Sequence, residues 1–349
     1  GQPGQRQVLR RGQSPKFVHI HLLALRVFPR LGLLDFPERY GLTRARLPYP
    51  TGILALLAFL VCFPLGFGIT FQSGGLLLAA LLLGIVCFAD DRKPLPPGIR
   101  LVLQVLIALL IFVTGTRIYT LTNPLDGMLG GDYLKLDSFL LQTELFGPLP
   151  ILAGIFTVVW LILTINALNW FDGIPGQVST LSTIGFLTIG LLSSSPRVDQ
   201  QDLALVSFAL AAIAFACTIF DAPKRVIPGD SGSMFFGLML GALTIYAGGK
   251  VATAFLVLGV PLLDLLIVVL RRLAQGRSPL KGSLSGDHLH HRLLAKGWAN
   301  WQVILLNVAL GSLFGVSALF LTTLQKFLAG IALFGVMLWL AYYSRTHRS

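Results

Sequence analysis

The sequence predicts an all-α polytopic membrane protein with about ten transmembrane helices and its polar clusters gathered on the cytoplasmic side. Three observations predict it. Mean hydropathy is +0.77, with 54% hydrophobic and only 12% charged residues. Apolar runs of bilayer length, roughly 17–25 residues, recur from about residue 51 to the end. The basic residues fall mostly on one side of those runs. A two-domain soluble reading of 349 residues is thereby set aside, because backbone in lipid must be bonded within each helix. The chain divides into a basic cytoplasmic or interfacial segment, 1–50, and a single transmembrane domain, 51–349.

Gly1 to Arg11 is polar and basic and carries no visible secretory signal. His21 to Phe28 is apolar but too short to span and is broken by Arg26, which suits an interfacial helix. Leu33 to Pro50 holds charges and three prolines, Pro37, Pro48 and Pro50, and reads as an extended approach to the first span. Ten spans follow, at about 51–70, 75–89, 99–119, 148–166, 177–192, 203–220, 231–247, 250–270, 301–322 and 327–343. Between Arg117 and Gly147 lies one long loop on the opposite side, compatible with a small hairpin or a surface helix. With both termini inside, 22 of the 27 Lys and Arg residues are cytoplasmic. Only Arg117, Lys135, Arg197, Lys250 and Lys326 lie outside, a strong positive-inside bias. The net charge of +12 therefore implies contact with anionic membrane lipids, not nucleic acid. Cys62, Cys87 and Cys217 all lie in apolar segments and are expected as packed thiols, neither disulfides nor zinc ligands.

This topology places five polar clusters on one face. Asp90-Asp91 closes an apolar run; adjacent carboxylates repel unless a metal, a proton or a cation offsets them. They could otherwise be a solvated loop. Asn166, Asn169 and Asp172, in Asn166-Ala-Leu-Asn169-Trp-Phe-Asp172-Gly-Ile-Pro-Gly176, share about a third of a helix circumference. They can converge on one ligand, although amides near a helix end also occur as caps. Gly229-Asp230-Ser231-Gly232-Ser233 opens the seventh span. Asp230 alone would serve as an N-cap, yet small residues at a helix start also admit phosphate oxygens while a carboxylate holds a divalent ion. Asp264, inside the eighth span, either pairs with Arg271 two turns on or acts directly. The fifth cluster is Asp287-His288-Leu-His290-His291-Arg292, in the loop from Arg271 to Gly297. Its spacing fits no common zinc site and is better suited to a diphosphate. Together the clusters are the parts for phosphoryl transfer at a membrane surface.

The motifs "LGLLDFP", "DDRKPLPPGIRLVLQ", "NALNWFDGIPG", "GDSGSMFFG" and "PLLDLLIVVLRRLAQGRSPLKGSLSGDHLHHRLLAKG" resemble those of the polyprenyl-phosphate N-acetylhexosamine-1-phosphate transferases over about residues 33 to 298. The His-x-His-His-Arg form looks like the branch that primes polysaccharides and teichoic acids. The resemblance implies that 51–349 is a catalytic domain in a bacterial inner membrane, its active site facing the cytoplasm. It implies a Mg²⁺-dependent enzyme, with Mn²⁺ as a substitute ion. A UDP-N-acetylhexosamine, UDP-GlcNAc first among them, would give its sugar 1-phosphate to undecaprenyl phosphate and release UMP. By the family's pattern Asp90 would orient or deprotonate the lipid phosphate, with Asp91 close to the metal. Asp230 and Asn169 would be metal ligands. His288, His290, His291 and Arg292 would hold the diphosphate or sugar, and Asp172 would lie beside the nucleotide. Asn166 and Asp264 are further candidates for substrate binding, and a homodimer is compatible with the sequence.

The chain departs from the family's usual pattern at Pro175, where an acid is common, at Asp221, where asparagine is common, and at Arg100, where lysine is common. Thr51-Gly52 stands where Gly-Gly is expected. Pro175 motivates a competing reading, a non-catalytic envelope-assembly scaffold. A transporter is disfavoured because no span carries a polar stripe through the bilayer midplane.

Overall fold

The computed structural model describes residues 16–35, 46–66, 68–124, 133–196, 198–223, 225–248, 251–279 and 287–344. Gly1 to Arg11, Pro37, the middle of the long loop and the stretch 280–286 lie outside the described residues. So do Arg39, Arg44, Arg197, Lys224, Lys250, Lys281, Arg345 and Arg348 of the charge count.

An amphipathic helix α1 (Lys16–Arg30) leads into α2 (Ile53–Gly66), α3 (Phe71–Arg92) and α4 (Pro97–Val113). Four short strands follow, β1 (Thr120–Thr122), β2 (Tyr133–Lys135), β3 (Leu140–Thr143) and β4 (Gly147–Pro150). The chain continues through α5 (Ile151–Phe171), α6 (Gln177–Ser193), α7 (Gln201–Asp221) and α8 (Asp230–Tyr246). It ends with α9 (Val251–Val257), α10 (Gly259–Ala274), α11 (Leu289–Ala295), α12 (Asn300–Phe320) and α13 (Thr323–Tyr343). Five of these, α3, α5, α7, α12 and α13, are long and apolar enough to cross a membrane; α2, α4 and α6 are apolar but shorter.

The molecule is built around α8. Every residue from Ser231 to Ile245 is buried, as expected of a helix apolar on all sides. Small residues let its neighbours come close. A Cβ on Gly237 would lie 2.5 Å from the Thr164 carbonyl oxygen of α5, and one on Gly52 would collide with the backbone of Gly232. Such contacts replace the hydrophobic drive that lipid cannot supply. They lock the amino end of α8 against the carboxyl end of α5 and the entry to α2.

Three expectations are corrected, and the loop left open between a hairpin and a surface helix takes the hairpin form. The segment 250–270 is not one helix but two, α9 and α10, broken at Leu258 (φ −90°, ψ 8°). Pro261 has no N–H for the Val257 carbonyl, so the ladder cannot run through. The loop after Arg117 makes the protein not wholly helical. β1 pairs with β2 and β3 with β4 as antiparallel hairpins; Gly147 at φ 66° turns the second, and Pro148 and Pro150 disfavour a helix there. The described ends of the stretch from Leu33 to Pro50 pair with each other instead of running out separately. Asp35 N donates to the Leu47 carbonyl (3.0 Å) and Tyr49 N to that of Leu33 (3.1 Å), so the chain doubles back. It then joins the loop before α8, through Thr51 N to Ile227 O (3.0 Å) and Gly52 N to Pro228 O (2.9 Å). Finally, Cys87 and Cys217 are packed inside but Cys62 is exposed on the outward face of α2.

Candidate active site

Where α3 ends and α8 begins, a cavity of about 470 Å³ opens, with Tyr49, Asp90, Asp91, Arg100, Asp172 and Asp230 in its wall. Asp35 lines it too, so five acids from four parts of the sequence share one space. The glycine that admits this is Gly229, at φ 74°, where a Cβ would sit 2.9 Å from both Asp91 oxygens.

The two adjacent acids have different surroundings. Asp91 accepts from Tyr49 Oη (2.6 Å), from Asp230 N (2.8 Å) and from Ser231 N (3.1 Å). It therefore caps α8 from another helix, satisfying orphan N–H groups at that terminus. Asp90 accepts from Leu95 N at 2.6 Å through one oxygen and from Arg100 Nη1 at 2.9 Å through the other. The same Nη1 donates to Asp230 Oδ2 at 2.8 Å, so one oxygen of Asp90 and one of Asp230 converge on a single point. Asn169 Nδ2 donates to the second oxygen of Asp230 (2.8 Å) and to Ser233 Oγ (3.3 Å).

Asn166 is a turn deeper and does not line the cavity. Its amide donates to Gln104 Oε1 (2.7 Å) and to the Ile162 carbonyl (2.9 Å). Asp172 follows α5 at the cavity wall. Burial pushes its carboxyl well above the usual range, and the charges of Asp221, Asp230 and Asp91 add to this. Behind it Asp221 accepts from Ser179 Oγ at 3.0 Å.

The histidines form a second group, joined to the acids through Gly173. Asp264 pairs not with Arg271 but with His288, Oδ2 to Nδ1 at 2.9 Å, and its other oxygen accepts from Leu289 N (2.9 Å). Asp264 thus anchors the start of α11. Arg272 supplies the other tie, donating to Asp287 (2.8 Å) and lying 5.2 Å from the Trp170 ring. His290 stacks on His288, with ring centroids 5.7 Å apart and planes inclined by 10°, and its Nε2 faces Gly173 closely enough to exclude any Cβ there. Its two ring nitrogens are buried without a hydrogen-bond partner among the described residues. Burial, then the charge of His291, lowers its pKa to about 3, and burial lowers that of His291 as well. Arg292 reaches instead to the Ala341 carbonyl at the end of α13 (3.0 Å).

Among the described residues no three His, Cys, Asp or Glu side chains form a ready metal cage. Mg²⁺ does not require one. It typically takes one or two carboxylates and completes its shell with water and substrate phosphates. The convergent oxygens of Asp90 and Asp230 are hard donors of that kind, and because Arg100 Nη1 now bridges them, an ion seated there would take the place of the guanidinium.

Sequence reasoning missed Tyr49 and Gln104. Gln104 left a signal: it is a lone amide in an apolar helix, four residues after Arg100 and so on the same face. Tyr49 left little, since its partner is 42 residues away.

Residues 73–248 match the family model described as glycosyl transferase family 4. The chain is 27% identical over 320 residues to a probable undecaprenyl-phosphate N-acetylglucosaminyl 1-phosphate transferase of Bacillus subtilis, covering 88% of this chain and 83% of the relative. It is 28% identical over 315 residues to an undecaprenyl-phosphate alpha-N-acetylglucosaminyl 1-phosphate transferase of Salmonella typhi (84% and 78%). It is also 28% identical over 297 residues to the protein of that name in Escherichia coli K12 (81% and 75%).

Proposed function

Because the chain belongs to glycosyl transferase family 4, we propose that it transfers GlcNAc-1-phosphate from UDP-GlcNAc to undecaprenyl phosphate. A phosphoanhydride bond forms between the lipid phosphate and the sugar 1-phosphate, the bond to UMP breaks, and UMP leaves. The observation that carries this reading is the meeting of Asp90 and Asp230 at one point in a polar cavity, with Asp91 and Asp172 in the same wall. The names of the bacterial relatives supply the donor group and the acceptor.

Asp90 orients the lipid phosphate and takes its proton when it has one. Arg100 neutralises Asp90 and Asp230, and its remaining N–H groups are suited to phosphate oxygens. Asp230 and Asp90 would hold Mg²⁺, with Asn169, the other ligand expected from the sequence, beside them and donating its amide to Asp230. When bound, the ion supplies charge neutralisation for the diphosphate and the departing UMP. Asp91 caps the amino end of α8 and so holds Asp230 in place at the cavity. His291, partly exposed, offers a ring nitrogen to the sugar or diphosphate, with buried His290, neutral near pH 7, packed between it and Gly173, and Asp172 lies on the nucleotide side. Ten spans in an inner membrane, with the cavity at the cytoplasmic face, are supported by the distribution of basic residues.

Purified protein should release UMP from UDP-GlcNAc only when undecaprenyl phosphate and Mg²⁺ are both present, and faster than from other UDP-N-acetylhexosamines. Pro175 keeps a scaffold reading in view. No UMP from any donor would favour it.

A further inference from the structure

A second cavity lies at the far end of the bundle. From Asp230 to Tyr246, α8 rises about 25 Å away from the acids, and α9 starts just beyond. There, between α9, α13 and β1, is a groove of about 620 Å³. Its mouth is polar. Lys326 Nζ donates to Thr253 Oγ1 at 2.9 Å, and Thr122 and Thr323 stand in the same wall. Below the mouth the lining is apolar, with Phe327, Ile331 and Phe334 down α13 and Phe255 and Leu263 opposite. These α13 positions follow Lys326 at helical spacing on one stripe.

The groove's length decides what it can hold. From Thr323 to Phe334 is about 16 Å along the axis, about half of the roughly 30 Å hydrocarbon layer. It is therefore one leaflet deep, with a cation at headgroup depth and apolar walls beneath. Lys326 is also one of only five basic residues that the charge count assigns to that side. We propose that this groove binds one phospholipid of net negative charge, its phosphate at Lys326 and the threonine hydroxyls, an acyl chain along Phe327, Ile331 and Phe334. A positive charge beside lipid attracts an anionic headgroup, and lysine's flexible stem lets its head stay at that depth. This binding is independent of the transfer reaction.

The test is native mass spectrometry of the full-length protein released from nanodiscs of equal phosphatidylglycerol and phosphatidylcholine. The wild type should retain one phosphatidylglycerol per chain, favoured about fivefold over phosphatidylcholine, the ratio expected of one lysine near an anionic headgroup. Lys326→Ala should remove the preference. Gly330→Leu, whose side chain would grow into the groove beside Phe255, should remove the lipid. Thermal unfolding of each variant checks that it is folded, and Ile331→Trp replaces Gly330→Leu if that variant is not. Equal retention of both lipids by the wild type would overturn the proposal. So would unchanged retention in the folded variants, or a groove covered by a second copy and shown by loss of a dimer in Gly330→Leu.

Discussion

Asp91 and Asp90 are neighbours in sequence with different work to do. Three donors from two parts of the chain occupy Asp91, so its first task is to hold α8. Asp91→Asn should lower stability by about 1.5–3 kcal/mol, the size of a hydrogen bond to a charged group. Tyr49→Phe should cost about 1 kcal/mol, and both are measurable by denaturation in detergent. Arg100 is the residue whose loss should be felt through charge. Arg100→Gln leaves Asp90 and Asp230 facing each other without a cation, so added Mg²⁺ should raise the melting temperature of this variant more than that of wild type. A smaller shift than wild type would remove Asp90 and Asp230 as the ion's seat. His290 gives a pH signature. Its folded pKa of about 3 is below the usual 6.5, so between those values the unfolded chain binds more protons. The stability from keeping it neutral is whole above about pH 6.5 and fades as pH falls toward 3. Thermal melts at pH 7.5 and 5 should differ less for His290→Gln than for wild type.

At the scale of elements, the site's precision comes from close backbone approach, not from the acids themselves. Gly237 lets α8 lie against α5 at the turn of Thr164 and Ile165. That contact puts Asn169, one turn further on, within 2.8 Å of Asp230. Gly237→Ala should cost about 1–3 kcal/mol through overpacking and loosen the Asn169–Asp230 contact, visible as a lower melting temperature together with slower UMP release. The helices were legible because long apolar runs admit little else in lipid, and the acids stood out because charge is scarce there. What stayed hidden depends on distant partners or local backbone. The α9–α10 break follows from one proline, the doubled-back strand from pairing across residues 33–49, and the cap on α8 from a carboxylate 139 residues away. Asp264 was legible as a candidate, but its choice of His288 over Arg271 depended on how α11 returns to the bundle.

The molecule as a whole joins a polar cavity at one end of a buried helix to a lipid-facing surface. The proposed topology, drawn from the charge asymmetry, puts the cavity on the cytoplasmic side. With Cys62, Cys87 and Cys217 replaced, a cysteine at Lys93 should label only from inside and one at Lys135 only from outside in oriented vesicles. The reverse pattern would invert the topology and part the cavity from cytoplasmic UDP-sugars. The most direct test of the central claim is the rate of UMP release from UDP-GlcNAc with undecaprenyl phosphate and Mg²⁺, compared between wild type, Asp90→Asn and Asp230→Asn. Each variant should remain folded in detergent and lose at least about 10²-fold in rate, the scale of removing one preorganised electrostatic contact. Wild-type rates in either variant would contradict the account.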